Sequence, residues 1–230
     1  MIIKFFSDTH GRHGFGGLSD YAPFLDCDVA VFSGDMSMRG TSHEVADFVE
    51  WYSNMPVKHK ILISGNHDFF WEKADEIAQK EMLENKGLIY LNDSGVEVDG
   101  IKFWGSPIQP WFHNWAFNRL PGDDIKKHWD LIPEGTDVLI THGPPKFILD
   151  KVVRDHENVG CPTLRDQIFF RIKPKVHVFG HIHEGYGTHE ESGVIFINAS
   201  SLNEHYELVN KPLSVEFKQD NAGQHSVEII

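Results

Sequence analysis

Five short apolar runs in this 230-residue chain each stop at residues able to hold a cation or move a proton. They end at Asp8 with His10, at Asp35, at Asn66 with His67, at His142, and at His181 with His183. The side chains on offer are imidazoles, carboxylates and one amide oxygen, with no thiolate among them. That donor set suits hard or borderline divalent ions such as Mn, Fe, Zn, Co or Mg, rather than an iron–sulfur cluster or Cu(I). There are more donors than one ion takes, which points to two. His181 and His183 form the densest pair. In extended backbone, residues two apart share a side, so both rings are expected to face one point. Taken singly each residue has a plainer reading, Asp8 and Asp35 as turn formers, Asn66 in an Asx turn, His142 in a loop.

The elements that must position these residues can be read in turn. Residues 2–6 make a first strand with Asp8 and His10 directly beyond it, before a glycine-rich loop. Residues 28–32 stop at Ser33-Gly34-Asp35. Thr41 and Glu44 are a capping-box signature, and Val45, Phe48, Val49 and Tyr52 then recur at helical spacing up to Pro56. A strand at 60–63 ends in Ser64-Gly65-Asn66-His67-Asp68. Residues 72–86 read as a second helix, with Ile77, Ala78 and Leu83 inward and Gly87 as its stop. Short strands at 88–91 and 95–98 lead through Asp99-Gly100, a hairpin turn, into 101–104. Residues 105–122 read as a loop bearing Trp111, Phe112, Trp115 and Phe117; Trp111, Phe112 and Trp115 could stack on a base, but ordinary packing is the expected role. A short helix is expected at 123–131. The strand 137–140 stops at Thr141-His142-Gly143-Pro144-Pro145, where the prolines end regular structure. After a connection at 145–161 and a helix to about 172, residues 176–179 make the fifth run, and 194–198 and 213–217 the last two strands. In layered α/β folds the site lies beyond the carboxyl ends of the strands, where all five groups would sit.

Composition narrows the partners. The formal net charge is −13, and no Lys/Arg cluster appears, which argues against a binder of long nucleic acid. A small anionic substrate is compatible, because bound cations reverse the local field. The length suits one domain over 1–230 with a full core. Cys27 and Cys161 fit no paired-cysteine motif and read as reduced thiols. The apolar start is too short for a signal peptide, and no run approaches a membrane span. A cytoplasmic protein without a membrane partner is expected.

The ordered series Asp8-x-His10, Gly34-Asp35, Gly65-Asn66-His67-Asp68, His142 and Gly180-His181-x-His183 resembles that of the calcineurin-like metallophosphoesterases. The stretches 141–145, 177–187 and Asn198-Ala199-Ser200 resemble in particular its small metallophosphoesterase-domain subgroup, some members of which act on cyclic nucleotides. The resemblance implies a four-layer α/β/β/α sandwich of two mixed sheets between helices. It also implies a first ion on Asp8, His10 and His183, a second on Asn66, His142 and His181, and Asp35 bridging the two.

Such a site explains the residue types. Two cations roughly 3.5–4 Å apart clamp a phosphoryl group and acidify a bridging water to hydroxide, which attacks phosphorus in line without a serine or cysteine nucleophile. The family's use of the Gly-Asn-His-Asp histidine makes His67 the general acid for the leaving alkoxide, with Asp68 orienting its ring. A further metal ligand, or a group behind the ligands, are the other readings of His67. The expected enzyme is a dinuclear phosphoesterase acting on a small phosphoester, preferably a phosphodiester of the cyclic-nucleotide kind, with Mn the ion expected to serve best in an assay. Arg39-Gly40 after Asp35 matches the Gly-Asp-x-x-x-Arg-Gly of protein serine/threonine phosphatases, where the arginine grips phosphate. That residue suggests a phosphomonoesterase or protein phosphatase as the alternative, with a nuclease or a non-catalytic metal-holding scaffold behind it; a solvated arginine just before a helix is the plainer reading of Arg39. Ser7, Thr9, Ser33 and Thr141 flank the ligands and are expected to support them.

Overall fold

A computed structural model of the chain describes residues 1–220, 223 and 225–230. The first part runs through β1 (Ile2–Phe6), β2 (Val29–Ser33), α1 (Ser42–Ser53), β3 (His59–Ile63), α2 (Phe69–Lys73), α3 (Glu76–Glu84) and β4 (Ile89–Tyr90). A hairpin of β5 (Ser94–Val98) and β6 (Ile101–Ser106) follows, then the short strands β7 (Gln109–Pro110) and β8 (Asn118–Arg119) and helix α4 (Asp123–Trp129). The last part holds β9 (Val138–Thr141), α5 (Pro162–Gln167), β10 (Val176–Phe179), β11 (Gly187–Glu191), β12 (Val194–Asn198), β13 (Leu213–Gln219) and β14 (His225–Ile229).

Twelve of these fourteen strands form two six-stranded sheets, ordered β14-β13-β1-β2-β3-β4 and β11-β12-β10-β9-β6-β5, while β7 pairs with β8. Both are mixed. β1 to β4 are parallel, and on one edge β13 runs antiparallel to β1 and β14 antiparallel to β13. In the other sheet β6, β9, β10 and β12 are parallel, flanked by antiparallel β5 and β11. The central strands are largely buried on both faces, which is why they read as mostly apolar runs. Ile3, Phe5, Val29, Val31, Ile61 and Ile63 of the first sheet join Val138, Ile140, Val176, Val178, Ile195 and Ile197 of the second in one buried cluster. Each such side chain contributes ~1.5–3 kcal/mol on burial. The alternate positions pack outward: Phe32 meets Phe48 of α1 with ring centroids 4.4 Å apart. On the far side Phe196 meets Phe169, in the wider helical turn that extends α5, at 5.8 Å. The result is the expected α/β sandwich with a helical layer outside each sheet.

Local chemistry sets the element ends. Thr41 caps α1 by accepting from Glu44 N at 3.3 Å, and the Glu44 carboxylate accepts from Thr41 N at 3.1 Å. The same carboxylate accepts from Met38 N and Arg39 N, each at 3.2 Å, so the cap also shapes the loop behind Asp35. The single helix expected over 72–86 is two. The chain turns extended at Ala74, and Asp75 starts α3 anew by accepting from Ala78 N at 2.9 Å. That restart rotates the helix, so Leu83 is buried whereas Ile77 is 70% exposed and Ala78 lies at the surface. The region 105–122 contains β7 and β8 rather than loop alone, and the edge strands β11 and β14 come from segments with few apolar residues. Among the described residues no helix is long and apolar enough to cross a membrane.

Candidate metal centre

The carboxyl ends of β1, β2, β3, β9 and β10 meet along one rim. Backbone hydrogen bonds bind the loops that leave them: Asp8 N to Gly34 O at 2.9 Å, His10 N to Asp35 O at 3.1 Å, Gly180 N to His142 O at 3.0 Å. Four of the candidate ligands hold left-handed backbone, with φ of 52° at Asp8, 43° at His10, 61° at Asp35 and 67° at His181. Non-glycine residues take that region rarely, at a cost of roughly 1–3 kcal/mol each, and such strain gathers at functional sites. At His181 it overturns the extended geometry expected for His181 and His183. The chain leaves extended backbone there and enters a 3₁₀ turn at His183–Gly185, and the two rings face different donors, His181 Nδ1 toward Asn66 Oδ1 and His183 Nε2 toward Asp8 Oδ1. Two glycines make room for the donors. A Cβ on Gly65 would fall on Asp35 Oδ1, and one on Gly180 would fall on Asp8 Oδ2 and Ser7 Oγ.

The donors collect in groups. Asp8, His10 and His183 each offer an atom within 4.8 Å of the others, as do Asp35, His142 and His181, and also His10, Asp35 and His67. Asp8 Oδ1 stands 3.6 Å from His183 Nε2. Asp35 Oδ2 stands 3.7 Å from His10 Nε2 and 3.3 Å from His142 Nε2, so one carboxylate faces both groups. Asn66 Oδ1 lies 2.9 Å from His142 Nε2 and 2.7 Å from His181 Nδ1.

The far nitrogens of three rings show what these atoms present. His10 Nδ1 faces Ser37 O at 3.1 Å, His142 Nδ1 faces Ser33 O at 3.0 Å, and His183 Nδ1 faces Asn203 O at 3.0 Å. A carbonyl only accepts, so each neutral ring carries its proton on Nδ1 and turns the Nε2 lone pair toward the carboxylates. His10 Nε2 is buried without a hydrogen-bond partner. Lone pairs converging on carboxylate and amide oxygens repel unless a cation or a proton lies between them. The residues therefore fit divalent ions with oxygen and imidazole ligands.

Protons substitute where no cation acts. Burial opposes a charge on His142, but the Asp35 and Asp8 carboxylates outweigh it and lift the imidazole to about 9. Burial would raise Asp8, yet its hydrogen bond and charge pairing with His183 hold it at about 2. Asp35 is likewise buried but is held well below the ordinary carboxylate range, chiefly by His142 and His67. His181 is pushed down to about 3 by burial, with the His142 charge adding to it.

Several supporting residues differ from expectation. Asp68 does not orient His67. Its carboxylate accepts from Gly65 N at 2.8 Å, Asp35 N at 3.1 Å, Ser37 N at 3.1 Å and Ser37 Oγ at 2.7 Å, knitting the loops after β2 and β3 together. Burial, then the Asp35 charge, raise Asp68 to about 6. The His67 ring is held instead by Met38 O, 2.8 Å from Nδ1. Arg39 is exposed, and Glu44 grips its backbone N–H. Ser7 and Thr141 bond backbone carbonyls, Gly34 O at 3.1 Å and Gly143 O at 2.7 Å, rather than ligand side chains. The hydroxyls of Thr9 and Ser33 are buried without partners.

A cavity of about 650 Å³ opens above the donors. His67, His181 and His183 line it, together with Trp111, Phe112 and Trp115 and with Arg154 on the loop that follows β9. Arg39 is not among the described residues that line it. Trp111 and Phe112 are each 52% exposed rather than packed down. Asn118 holds this loop from behind, donating to Phe112 O at 3.2 Å and His113 O at 3.0 Å, which leaves the rings at the cavity mouth. Tyr206, which sequence reasoning passed over, also lines the cavity, its ring 5.2 Å from His10 and 5.0 Å from His183. Nothing local to its segment signals that placement.

The sequence pattern described as calcineurin-like phosphoesterase matches residues 1–185, a span from β1 through His183 that holds every candidate ligand. The chain belongs to that family. It is a metal-dependent phosphoester hydrolase. This phosphoesterase is 39% identical over 230 residues to Metallophosphoesterase domain-containing protein 1 of Homo sapiens, covering 91% of this chain and 69% of that protein. It is 36% identical over 231 residues to a UPF0046 protein of Caenorhabditis elegans, covering 89% of this chain and 57% of that protein. The likeness to the small metallophosphoesterase-domain subgroup is thus shown. Its fold is similar to that of TT1561 of Thermus thermophilus, with a TM-score of 0.63 at 16% identity over 99% of this chain and 98% of that one. Phosphopantetheinyl Hydrolase (PptH) from Mycobacterium tuberculosis gives 0.60 at 16% identity, over 89% of this chain and 90% of that one.

Proposed function

We propose that the phosphoesterase, working as one domain over 1–230, uses two divalent ions to hydrolyse a small phosphodiester of the cyclic-nucleotide kind. Asp8, His10 and His183 would hold one ion, Asn66, His142 and His181 the other, and Asp35 would bridge them. The observation that carries this reading is the pair of donor groups sharing one carboxylate, with Asp35 Oδ2 at 3.7 Å from His10 Nε2 and 3.3 Å from His142 Nε2. Divalent ions bound there supply Lewis-acid charge to phosphoryl oxygens and acidify water at neutral pH.

The chain's own groups supply the rest. His67 lines the cavity with Nδ1 engaged by Met38 O at 2.8 Å, which leaves Nε2 as the nitrogen free to protonate a leaving oxygen. Its backbone N–H donates to Asp35 Oδ1 at 2.8 Å, so the acid is fixed to the residue between the two donor groups. The exposed Trp111 and Phe112 rings suit a planar organic group on the ester, and a volume of about 650 Å³ suits a small molecule. The net charge of −13 supports the same choice over a long polyanion.

A Mn-supplemented assay on bis(p-nitrophenyl) phosphate and p-nitrophenyl phosphate tests the reading. The diester is expected to turn over faster. Faster monoester hydrolysis refutes the diester preference, and no turnover of either by protein with Mn bound refutes the wider proposal.

A further inference from the structure

We propose that Trp115 is a positioning residue for His67, its indole holding the imidazole in the orientation from which Nε2 serves the leaving oxygen. This rests on His67 as the proton donor named above. The two rings stack with centroids 4.2 Å apart and planes 29° from parallel. His10 meets the same imidazole edge-on at 4.5 Å and 79°. With Nδ1 held by Met38 O, the ring is constrained through a face, an edge and one nitrogen. Turning the imidazole about either side-chain torsion gives up the stack.

The indole is itself anchored to the strand end that carries the donor. Ala116 N donates to Asn66 O at 3.1 Å, tying the residue after Trp115 to the residue before His67. Phe117 N donates to Glu72 Oε1 at 2.7 Å, and the Phe69 ring lies 5.8 Å from the Trp115 ring. The aromatic loop therefore registers on the β3 end rather than hanging from its own ends. Trp111 and Phe112, which also line the cavity, have no such contact with a reacting group, and are half exposed. Loss of the stack frees the ring to rotate away from the productive orientation. Proton donation is typically worth 10²–10⁴-fold, and a small misplacement of a catalytic group forfeits part of that.

The test uses the full-length Mn-loaded enzyme and two methyl aryl phosphates, one losing p-nitrophenolate and one losing phenolate. The first leaving group needs little protonation and the second needs it. Trp115→Leu, which keeps apolar bulk without a ring face, is expected to lower kcat roughly tenfold or more for the phenol ester, with little change for the nitrophenol ester. Trp115→Phe should recover most of the loss, and metal content should stay at the parent's value in both. In a His67→Ala background, Trp115→Leu should have no further effect. Equal loss on both esters, a change in KM alone, or additivity with His67→Ala each overturns the proposal. If His67→Ala itself shows no leaving-group dependence, the proton-donor reading falls and this inference with it. If His67→Ala shows that dependence and Trp115→Leu does not, only the positioning role falls.

Discussion

Replacing His177 with leucine should remove a defined share of the protein's sensitivity to acid. His177 is fully buried in β10, its Nε2 2.8 Å from Thr141 Oγ1. The Thr141 hydroxyl gives its proton to Gly143 O at 2.7 Å, so it must accept from His177, and the imidazole proton belongs on Nε2. Nδ1 is then a buried lone pair without a partner, and a second proton there would place a charge among Phe179 and Phe196 with nothing to receive it. Burial accordingly pushes His177 from 6.5 to about 3. The unfolded chain takes up a proton near 6.5 and the folded chain does not. His177 therefore costs nothing above pH 6.5, destabilises the fold as pH falls from there toward 3, and adds nothing further below 3. One pH unit inside that window is worth ~1.4 kcal/mol. Going from pH 7 to pH 5 spans about 1.5 units of it, or ~2 kcal/mol. Urea unfolding of chelator-treated protein at those two pH values gives the measurement. The loss of stability on acidification should be ~2 kcal/mol smaller in His177→Leu than in the parent, whatever the variant's stability at pH 7. An unchanged pH dependence would refute the assignment of a neutral buried ring.

The remaining predictions concern the donors. His181→Ala and His183→Ala should each cost a different ion, read as metal content after dialysis against Mn; if both strip the same one, the division of the site is wrong. Asp35 and Asp8 hold a proton on His142 up to about 9, and that proton must leave before a metal binds there. The affinity for the Mn ion that His142 would hold should rise roughly tenfold per pH unit between 7 and 9, with about one proton released as that ion binds in calorimetry across two buffers, and a flat profile would count against it. In metal-free protein the sign reverses: His142 contributes stability below pH 6.5 that is lost as pH rises toward 9. Gly180→Ala should displace Asp8, lower metal content and destabilise the fold by about 1–3 kcal/mol, whereas Gly14→Ala, with open space around its Cβ, should stay within ~0.5 kcal/mol.

Much of this architecture is legible in the order of residues. The five buried strands appear as apolar runs because both their faces are covered, and the polar residues that end them stand out by contrast. The Thr41–Glu44 cap and the Asp99-Gly100 turn are local chemistry and need no partner to be read. The gap between α2 and α3 escapes a reading by pattern because Asp75 as a cap competes with a helical periodicity that runs through it. β11 and β14 escape it because an edge strand is defined by the neighbour it pairs with, and their own residues carry little apolar signal.

The sequence by itself determined which donor types exist, that they cluster at strand ends, and which family they resemble. It could not say which way they point. The left-handed turns at Asp8, His10, Asp35 and His181 depend on loops bonded across the sheet, and one of them takes the His181–His183 segment out of extended backbone. The Ser33, Ser37 and Asn203 carbonyls that set the ring protons, and the Met38 carbonyl and Trp115 ring that hold His67, come from distant parts of the chain. Side-chain type and period are properties of neighbouring residues. The pairing of a lone pair with a carboxylate is a property of two sheets packed face to face, and only the tertiary structure decides it.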